Sequence, residues 1–388
     1  MGNPQQRSIR VLHIVGGMNR GGVETWLMQV LRTIDRDKLQ MDFLVHTLKP
    51  CPYDEEVRAL GSQILPCPRP DRPWSYAHRF NQLLGQHGPY DIVHSHVHHY
   101  SGFILKLAYQ AGVPVRIAHS HNDTSVLQAR AGLVRRCYLM LMGLWIKHYA
   151  TVKLACSMPA ALALFGPAWK QDAQCQILYC GVDLSSFQAA GVKVSRQQLG
   201  IDAGALVVGH VGRFSEQKNH RFLITVAQEI ILREPNTIFL LIGDGELRPA
   251  IEQQVIQAGL EKVFVFTGER PDVAQLMMHV INVFLLPSFH EGLPVAAIEA
   301  QAAGLPCILS SQITPEINII KQPFVQQLSL SKSALVWAEA ILKTRELKMS
   351  RSEMTKHVEN SQFNIKHSVE RLKITYESAL STINQQAQ

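Results

Sequence analysis

Apolar residues fall along this chain in short continuous runs, each followed by a stretch whose apolar positions recur at helical spacing. The first run, 9–15, ends at Gly16-Gly-Met-Asn-Arg-Gly-Gly22, after which Trp26, Leu27, Val30, Leu31 and Ile34 repeat with the period of a helix. A buried strand, a glycine turn and a helix form the opening unit of a doubly wound α/β domain. The same grammar predicts strands at 41–46, 91–96, 113–119 and near 175–183. A second cycle starts at 206–211, continues through a helix over 222–232, and predicts strands at 238–242, 263–267, 283–286 and 307–309. Between the cycles, 184–205 is rich in Gly, Ser and Gln and has little periodicity, so the domain boundary belongs there. Phe363, Ile365, Val369, Leu372 and Tyr376 return to helical spacing and predict a closing helix. The expected domains are 1–185 and 186–362, with 363–388 as the last helix.

Length supports this division, since 388 residues fill two domains of ordinary size. A composition of 46% apolar and 18% charged residues is that of a globular protein. The net charge of +7 favours an anionic partner. Because the cations are scattered, nucleic acid is not expected, and phosphorylated small molecules or anionic lipid remain. Seven cysteines without a C-x-x-C pair argue against a disulfide framework or a structural zinc site. The polar start MGNPQQRSIR is not a signal peptide, and Gln6 stands where myristoylation needs Ser or Thr. The expected location is therefore cytoplasmic, with any lipid contact at the inner face of the plasma membrane. No run is long enough to span a bilayer. The nearest, 137–146, sits in a basic segment, 130–148, with Arg130, Arg135, Arg136, Lys147 and His148. It reads either as a helix lying in an anionic membrane surface or as a buried helix with charged ends.

The stretch 287–306 carries the most chemistry. Pro294 suits the first turn of a helix and Gly304 its C-terminal end. Glu291 then precedes the helix and Glu299 lies within it, where carboxylates can accept the paired hydroxyls of a sugar. The plainer alternative is an acid complementing the helix dipole and a solvated Glu further on. Glu291 and Glu299 form an E-x7-E pair within Pro-Ser-x-x-Glu-Gly-Leu-Pro, and this motif resembles the family 4 retaining glycosyltransferases. Further segments are similar to that family in the same order: Gly21-Gly22-Val23-Glu24, Gly181-Val182-Asp183, Gly212-Arg213 with Lys218-Asn219, Gly243-Asp244-Gly245, and Gly268 to Val273. Arg116-Ile-Ala-His-Ser-His-Asn122 is similar to bacterial exopolysaccharide and capsule glycosyltransferases.

The resemblance implies the GT-B architecture, two Rossmann-like domains with parallel sheets facing across a cleft and a C-terminal helix crossing back to the first domain. It implies retaining transfer from a nucleoside diphosphate sugar, a UDP-sugar first, to a glycan or lipid-linked acceptor in surface polysaccharide synthesis. Arg213 and Lys218 then match the diphosphate-binding cations, Glu299 the ribose contact, and Glu291 with Gly292 and Leu293 the donor-sugar contact. Gly21 and Gly22 match the turn that approaches the donor. His119 or His121 matches a histidine that meets the donor sugar, with His121 preferred because Asn122 and Asp123 follow it. Neither metal nor cofactor is expected, although His94 and His96 share a strand face and make a metal site conceivable. A solvated basic loop would also account for Arg213 and Lys218 taken alone. Other readings are a sucrose-type synthase, a nucleotide-sugar epimerase, a glycosidase using Glu291 and Glu299, and a non-catalytic scaffold. The glycosidase leaves Arg213, Lys218 and the glycine turn unexplained.

Overall fold

The computed structural model describes residues 7–68, 70–188, 194–347 and 350–386. The polar start at 1–6 and part of the boundary stretch, 189–193, lie outside the described residues. The chain forms two compact units. One joins the residues up to Gly181 to the segment beginning at Ile365, and the other is Val182–Asn364.

The first unit is built on a seven-stranded sheet of β1 (Ile9–Val15), β2 (Leu39–Val45), β3 (Ile64–Pro66), β4 (Ile92–Ser95), β5 (Val115–Ser120), β6 (Val152–Ala155) and β7 (Cys175–Ile177). The order is β3-β2-β1-β4-β5-β6-β7, parallel throughout. Helices cover a parallel sheet on both faces, which is why its strands read as continuous apolar runs. Chain order reverses between β1 and β4, and ligands of such sheets bind beyond the strand ends at that point. The strand predicted near 175–183 shortens to three residues, and β3 and β6 join strands that the apolar pattern does not mark.

Ile365–Gln386 is the closing helix that the apolar spacing predicts, and it belongs to this unit, as the family resemblance implies. Leu372 and Tyr376 are fully buried in it. Ser368 accepts a hydrogen bond from Trp26 Nε1 at 2.9 Å and donates one to the Tyr179 carbonyl at 2.9 Å.

The basic apolar segment forms the helix Leu133–Tyr149, and the buried-helix reading of it fails. Of its apolar side chains only Met142 and Ile146 are buried, while Leu133, Val134, Met140, Leu141 and Leu144 are exposed. Its inner side packs closely on the helix Ser101–Gln110, where a Cβ on Gly102 would collide with the Met142 backbone. Arg135 and Arg136 stand on the open side. No helix among the described residues is long and apolar enough to cross a membrane.

The second unit repeats the plan with β8 (Leu206–Val211), β9 (Thr237–Ile242), β10 (Phe264–Phe266), β11 (Val283–Leu286), β12 (Cys307–Ser310) and β13 (Val325–Leu328). Its order is β10-β9-β8-β11-β12-β13, so chain order reverses between β8 and β11. Phe239, Leu241, Leu285 and Trp337 lie at the centre of the core that fixes these strand ends. Both halves are Rossmann-like, as a GT-B chain requires.

Candidate active site

In the second unit the loops after β8 and β11 meet at the switch point. The loop after β8 makes one 3-10 turn, Glu216–Lys218, and Asn219 then takes a left-handed backbone (φ 55°) that starts the helix His220–Ile231. Asn tolerates that conformation better than most residues. The two loops are tied by four contacts. Phe289 N–H donates to the Gln217 carbonyl (2.9 Å), Gln217 Nε2 to the His290 carbonyl (2.9 Å), Asn219 Nδ2 to the Pro287 carbonyl (3.1 Å), and Lys218 Nζ to Glu291 Oε1 (2.6 Å). Gln217 Nε2 also reaches Glu291 Oε2 at 3.2 Å. The Lys218–Glu291 pair is largely out of water, with 16% and 7% of the two side chains exposed.

Glycines make this approach possible. The methylenes of Lys218 lie over Gly212, where an added Cβ would stand 3.0 Å from Lys218 Cε. Gly243, with φ 135°, lies against the Gly212 carbonyl, and Gly245 lies against the backbone of Phe214. Any Cβ at either position would push the loops apart. Beneath Lys218, His210 Nδ1 donates to the Leu285 carbonyl (2.9 Å), and its ring lies 4.7 Å from that of His220. Burial, and then the Lys218 charge, pushes His220 down to about 4. Sequence reasoning passed over His210, Gln217 and His220, although Gln217 directly precedes Lys218 and His220 directly follows Asn219.

Arg213 is exposed, and its guanidinium has no partner among the described residues. The helix Val295–Ala302 begins one residue later than expected, with Pro294 at its N-cap rather than in its first turn. Gly304 follows its last turn with φ 75°, as a C-terminal glycine should. Leu293 and Gly292 are buried beside Glu291. Glu299 is half-buried on this helix, its carboxylate accepts no hydrogen bond among the described residues, and burial pushes its carboxyl up to about 7. The loops after β8 and β11 and the helix that follows thus offer Arg213, without a partner among the described residues, Lys218 held by Glu291, and Glu299 with unused acceptors.

In the first unit the switch point gathers five histidines. Register places His13 beside His94, and the strand period carries His94 and His96, then His119 and His121, to the same sheet face. The rings form two hydrogen-bonded lines. One runs from Tyr376 Oη to His94 Nδ1 (2.7 Å) and from His94 Nε2 to His119 Nδ1 (3.1 Å). The other runs from His13 Nδ1 to His96 Nε2 (2.9 Å), from His96 Nδ1 to His121 Nε2 (2.8 Å), and from His121 Nδ1 to Cys180 Sγ (3.7 Å). Burial pushes all five imidazoles down, His13 and His121 to about 3, so they are neutral at physiological pH. His119 is fully buried, and only His121 of the five reaches the surface appreciably.

Two triplets, His13/His94/His96 and His96/His119/His121, each bring three ring nitrogens within 4.8 Å. The imidazole–imidazole contacts of 2.8–3.1 Å each hold a proton, and among the described residues no carboxylate joins either triplet, so the set is better suited to hydrogen bonding than to a divalent ion. Gly21 caps the helix Gly22–Thr33 with extended backbone. At Gly17 of this turn a Cβ would stand 2.9 Å from Thr47.

Family models agree with both halves. The one described as Glycosyl transferases group 1 matches residues 192–361, and the Glycosyl transferase 4-like domain matches 21–170. A Bacillus subtilis (strain 168) protein designated glycosyltransferase EpsF is 38% identical over 336 residues, covering 86% of each chain. A capsular polysaccharide biosynthesis glycosyltransferase, CapH of Staphylococcus aureus, is 26% identical over 95% of this chain and 99% of its own. An Escherichia coli UDP-Gal:alpha-D-GlcNAc-diphosphoundecaprenol alpha-1,3-galactosyltransferase is 30% identical over 57% of this chain and 58% of its own. Among solved structures, Anabaena HepE in complex with UDP and glucose superposes with a TM-score of 0.77 at 18% identity, covering 95% of this chain and 100% of HepE.

Proposed function

The chain belongs to the family 4 glycosyltransferases, and from that premise we propose that it transfers a sugar from a UDP-sugar, with retention, to a glycan or lipid-linked acceptor in surface polysaccharide synthesis. The observation that carries the donor half is the second-unit cluster of Arg213, Lys218, Glu291 and Glu299 at a Rossmann switch point. Arg213 and Lys218 hold the diphosphate, and their charge stabilises it as the glycosidic bond breaks. These two cations supply here the positive charge that a metal ion supplies elsewhere, and transfer proceeds without one. The Glu299 carboxylate accepts the ribose hydroxyls. Glu291, with the backbone of Gly292 and Leu293, faces the donor sugar. On the first unit, Gly21, Gly22 and His121 are the donor-side residues, with His119 behind them.

The UDP preference is supported by the UDP complex of HepE, and the lipid-linked acceptor by the substrate named for the E. coli relative. CapH supports the polysaccharide assignment. Incubation with a panel of UDP-, GDP- and ADP-sugars, with and without undecaprenyl-diphosphate-linked sugars, tests the reading by mass spectrometry. UDP-sugar consumption that withstands EDTA, with the donor's anomeric configuration kept in the product by NMR, is expected. UDP binding without consumption of any donor would turn the assignment to a scaffold.

A further inference from the structure

The first unit's second histidine line has a donor–acceptor direction that its rings must share. A neutral imidazole carries one N–H and one lone pair, so His96 cannot donate to both neighbours or accept from both. If His96 Nδ1 accepts from His121 Nε2–H, then His96 Nε2–H donates to His13; if His13 donates, His96 donates to His121. The whole line has two collective tautomers, and no ring can change alone. His96 is clamped in the middle, with its ring centroid 5.2 Å from His13, 4.2 Å from His94, 5.0 Å from His121 and 6.3 Å from Trp26. His121 is the end of the line that reaches the surface, and among the described residues its remaining nitrogen meets only the long Cys180 contact of 3.7 Å. A thiol is a weak partner, and a ligand hydroxyl replaces it at little cost.

We infer that His96 is a positioning residue for His121: by holding His121 Nε2 it fixes the ring, couples its tautomer to that of His13, and leaves Nδ1 as the atom offered to the donor sugar. The inference rests on the proposed role of His121 and adds what makes that role possible. The other line does not serve the same end. Tyr376 O–H has no acceptor besides His94 Nδ1 among the described residues, so the phenol donates, His94 Nε2–H donates to His119 Nδ1, and the result is a buried histidine.

The side-chain geometry supplies its own control. The amide of Asn reproduces the place of an imidazole Nδ1, and that of Gln the place of Nε2. His96→Asn therefore keeps the contact to His121, His96→Gln keeps only that to His13, and His96→Leu keeps neither. UDP release from UDP-glucose and UDP-galactose, with water as acceptor, is measured for these variants and for His121→Ala. In parallel, 15N spectra of histidine-labelled protein report the His121 tautomer, assigned by its absence from His121→Ala. The expected result is a fall in kcat on the order of ten- to a hundredfold for His121→Ala, His96→Leu and His96→Gln, with KM little changed. His96→Asn should stay within about threefold of wild type, because it preserves the orienting bond. The His121 spectrum should stay near that of wild type in His96→Asn, and should change in His96→Leu and His96→Gln, which lose the bond to Nε2.

Wild-type turnover and an unchanged His121 spectrum in His96→Leu, with His121→Ala impaired, would overturn the inference and leave the donor site standing. Wild-type turnover in His121→Ala would overturn the role of His121 itself. Should His96→Leu fail to fold, the contrast between His96→Asn and His96→Gln decides alone, and equal behaviour of these two overturns the inference.

Discussion

Glu299 shows how a single carboxyl can report nucleotide binding. Its acid is pushed up to about 7 by burial, from an ordinary value of 4.5. The folded protein thus holds this proton more tightly than the unfolded chain. That contribution to stability is complete below about pH 4.5 and declines as pH rises to about 7. Ribose hydroxyls, by contrast, donate to the ionised form. UDP-glucose affinity should therefore rise with pH up to about 7 and then level, approaching tenfold per unit on the acid side. In Glu299→Gln the affinity should be weaker by about tenfold or more at pH 8 and flat with pH, while its stability relative to wild type should be greater at pH 8 than at pH 5. Calorimetric titration and urea unfolding at the two pH values check both halves; a wild-type pH dependence that survives the substitution would end the assignment. The position of Glu299 is legible from its eight-residue offset to Glu291. Its isolation from donors is not, because that depends on which loops surround the helix. The histidines divide likewise: His94 and His96 are recognisable as a pair on one face, but His13 lies on a strand whose neighbour only the sheet order reveals.

At the scale of elements, the site depends on two loops separated by more than seventy positions and tied by a nearly dry ion pair. Replacing Lys218 by Met removes the cation and leaves Glu291 with Gln217 as its side-chain donor. Breaking one side of such a pair costs about 3–5 kcal/mol, far more than an exposed pair is worth. Lys218→Met should therefore lose both stability and turnover. Lys218→Met/Glu291→Gln should recover much of the stability but none of the turnover, because Gln matches the shape of Glu without its charge. Chemical unfolding and UDP release measured on the same samples separate these effects, and a double variant no more stable than Lys218→Met would refute the account. The sequence motif names both partners but cannot say that they meet. The strands divide along the same line. β8 and β11 are readable from apolar residues alone. β3 is only three residues long, β6 contains Lys153, whose ammonium is buried against Asp172 (2.8 Å), and β13 is Val-Gln-Gln-Leu. Their strand character comes from pairing with a neighbour, which no local pattern records.

The molecule as a whole carries +7 charges, and the helix Leu133–Tyr149 sets five apolar side chains in water, Leu133, Val134, Met140, Leu141 and Leu144. Monomeric surfaces seldom expose contiguous apolar area without a use for it. Leu133, Met140 and Leu144 follow helical spacing, and Val134 and Leu141 extend the same strip, with Arg135 and Arg136 beside it. Such a strip can enter the boundary between headgroups and acyl chains while the guanidinium groups meet lipid phosphates. This would bring the enzyme to a lipid-linked acceptor. Near an anionic surface each Arg is worth about 1 kcal/mol, so Arg135→Ala/Arg136→Ala should weaken binding by about 2 kcal/mol, roughly thirtyfold. Leu133→Ser/Val134→Ser should weaken it as well, but with no change in salt dependence, since those residues contribute area rather than charge. Vesicles of phosphatidylcholine with a quarter phosphatidylglycerol, sedimented with the protein at low and high salt, distinguish the two terms. The wild type should bind these and not pure phosphatidylcholine. Equal sedimentation of wild type and the double-Arg variant would remove this helix from the membrane argument, and equal binding to neutral vesicles would show that charge plays no part in it.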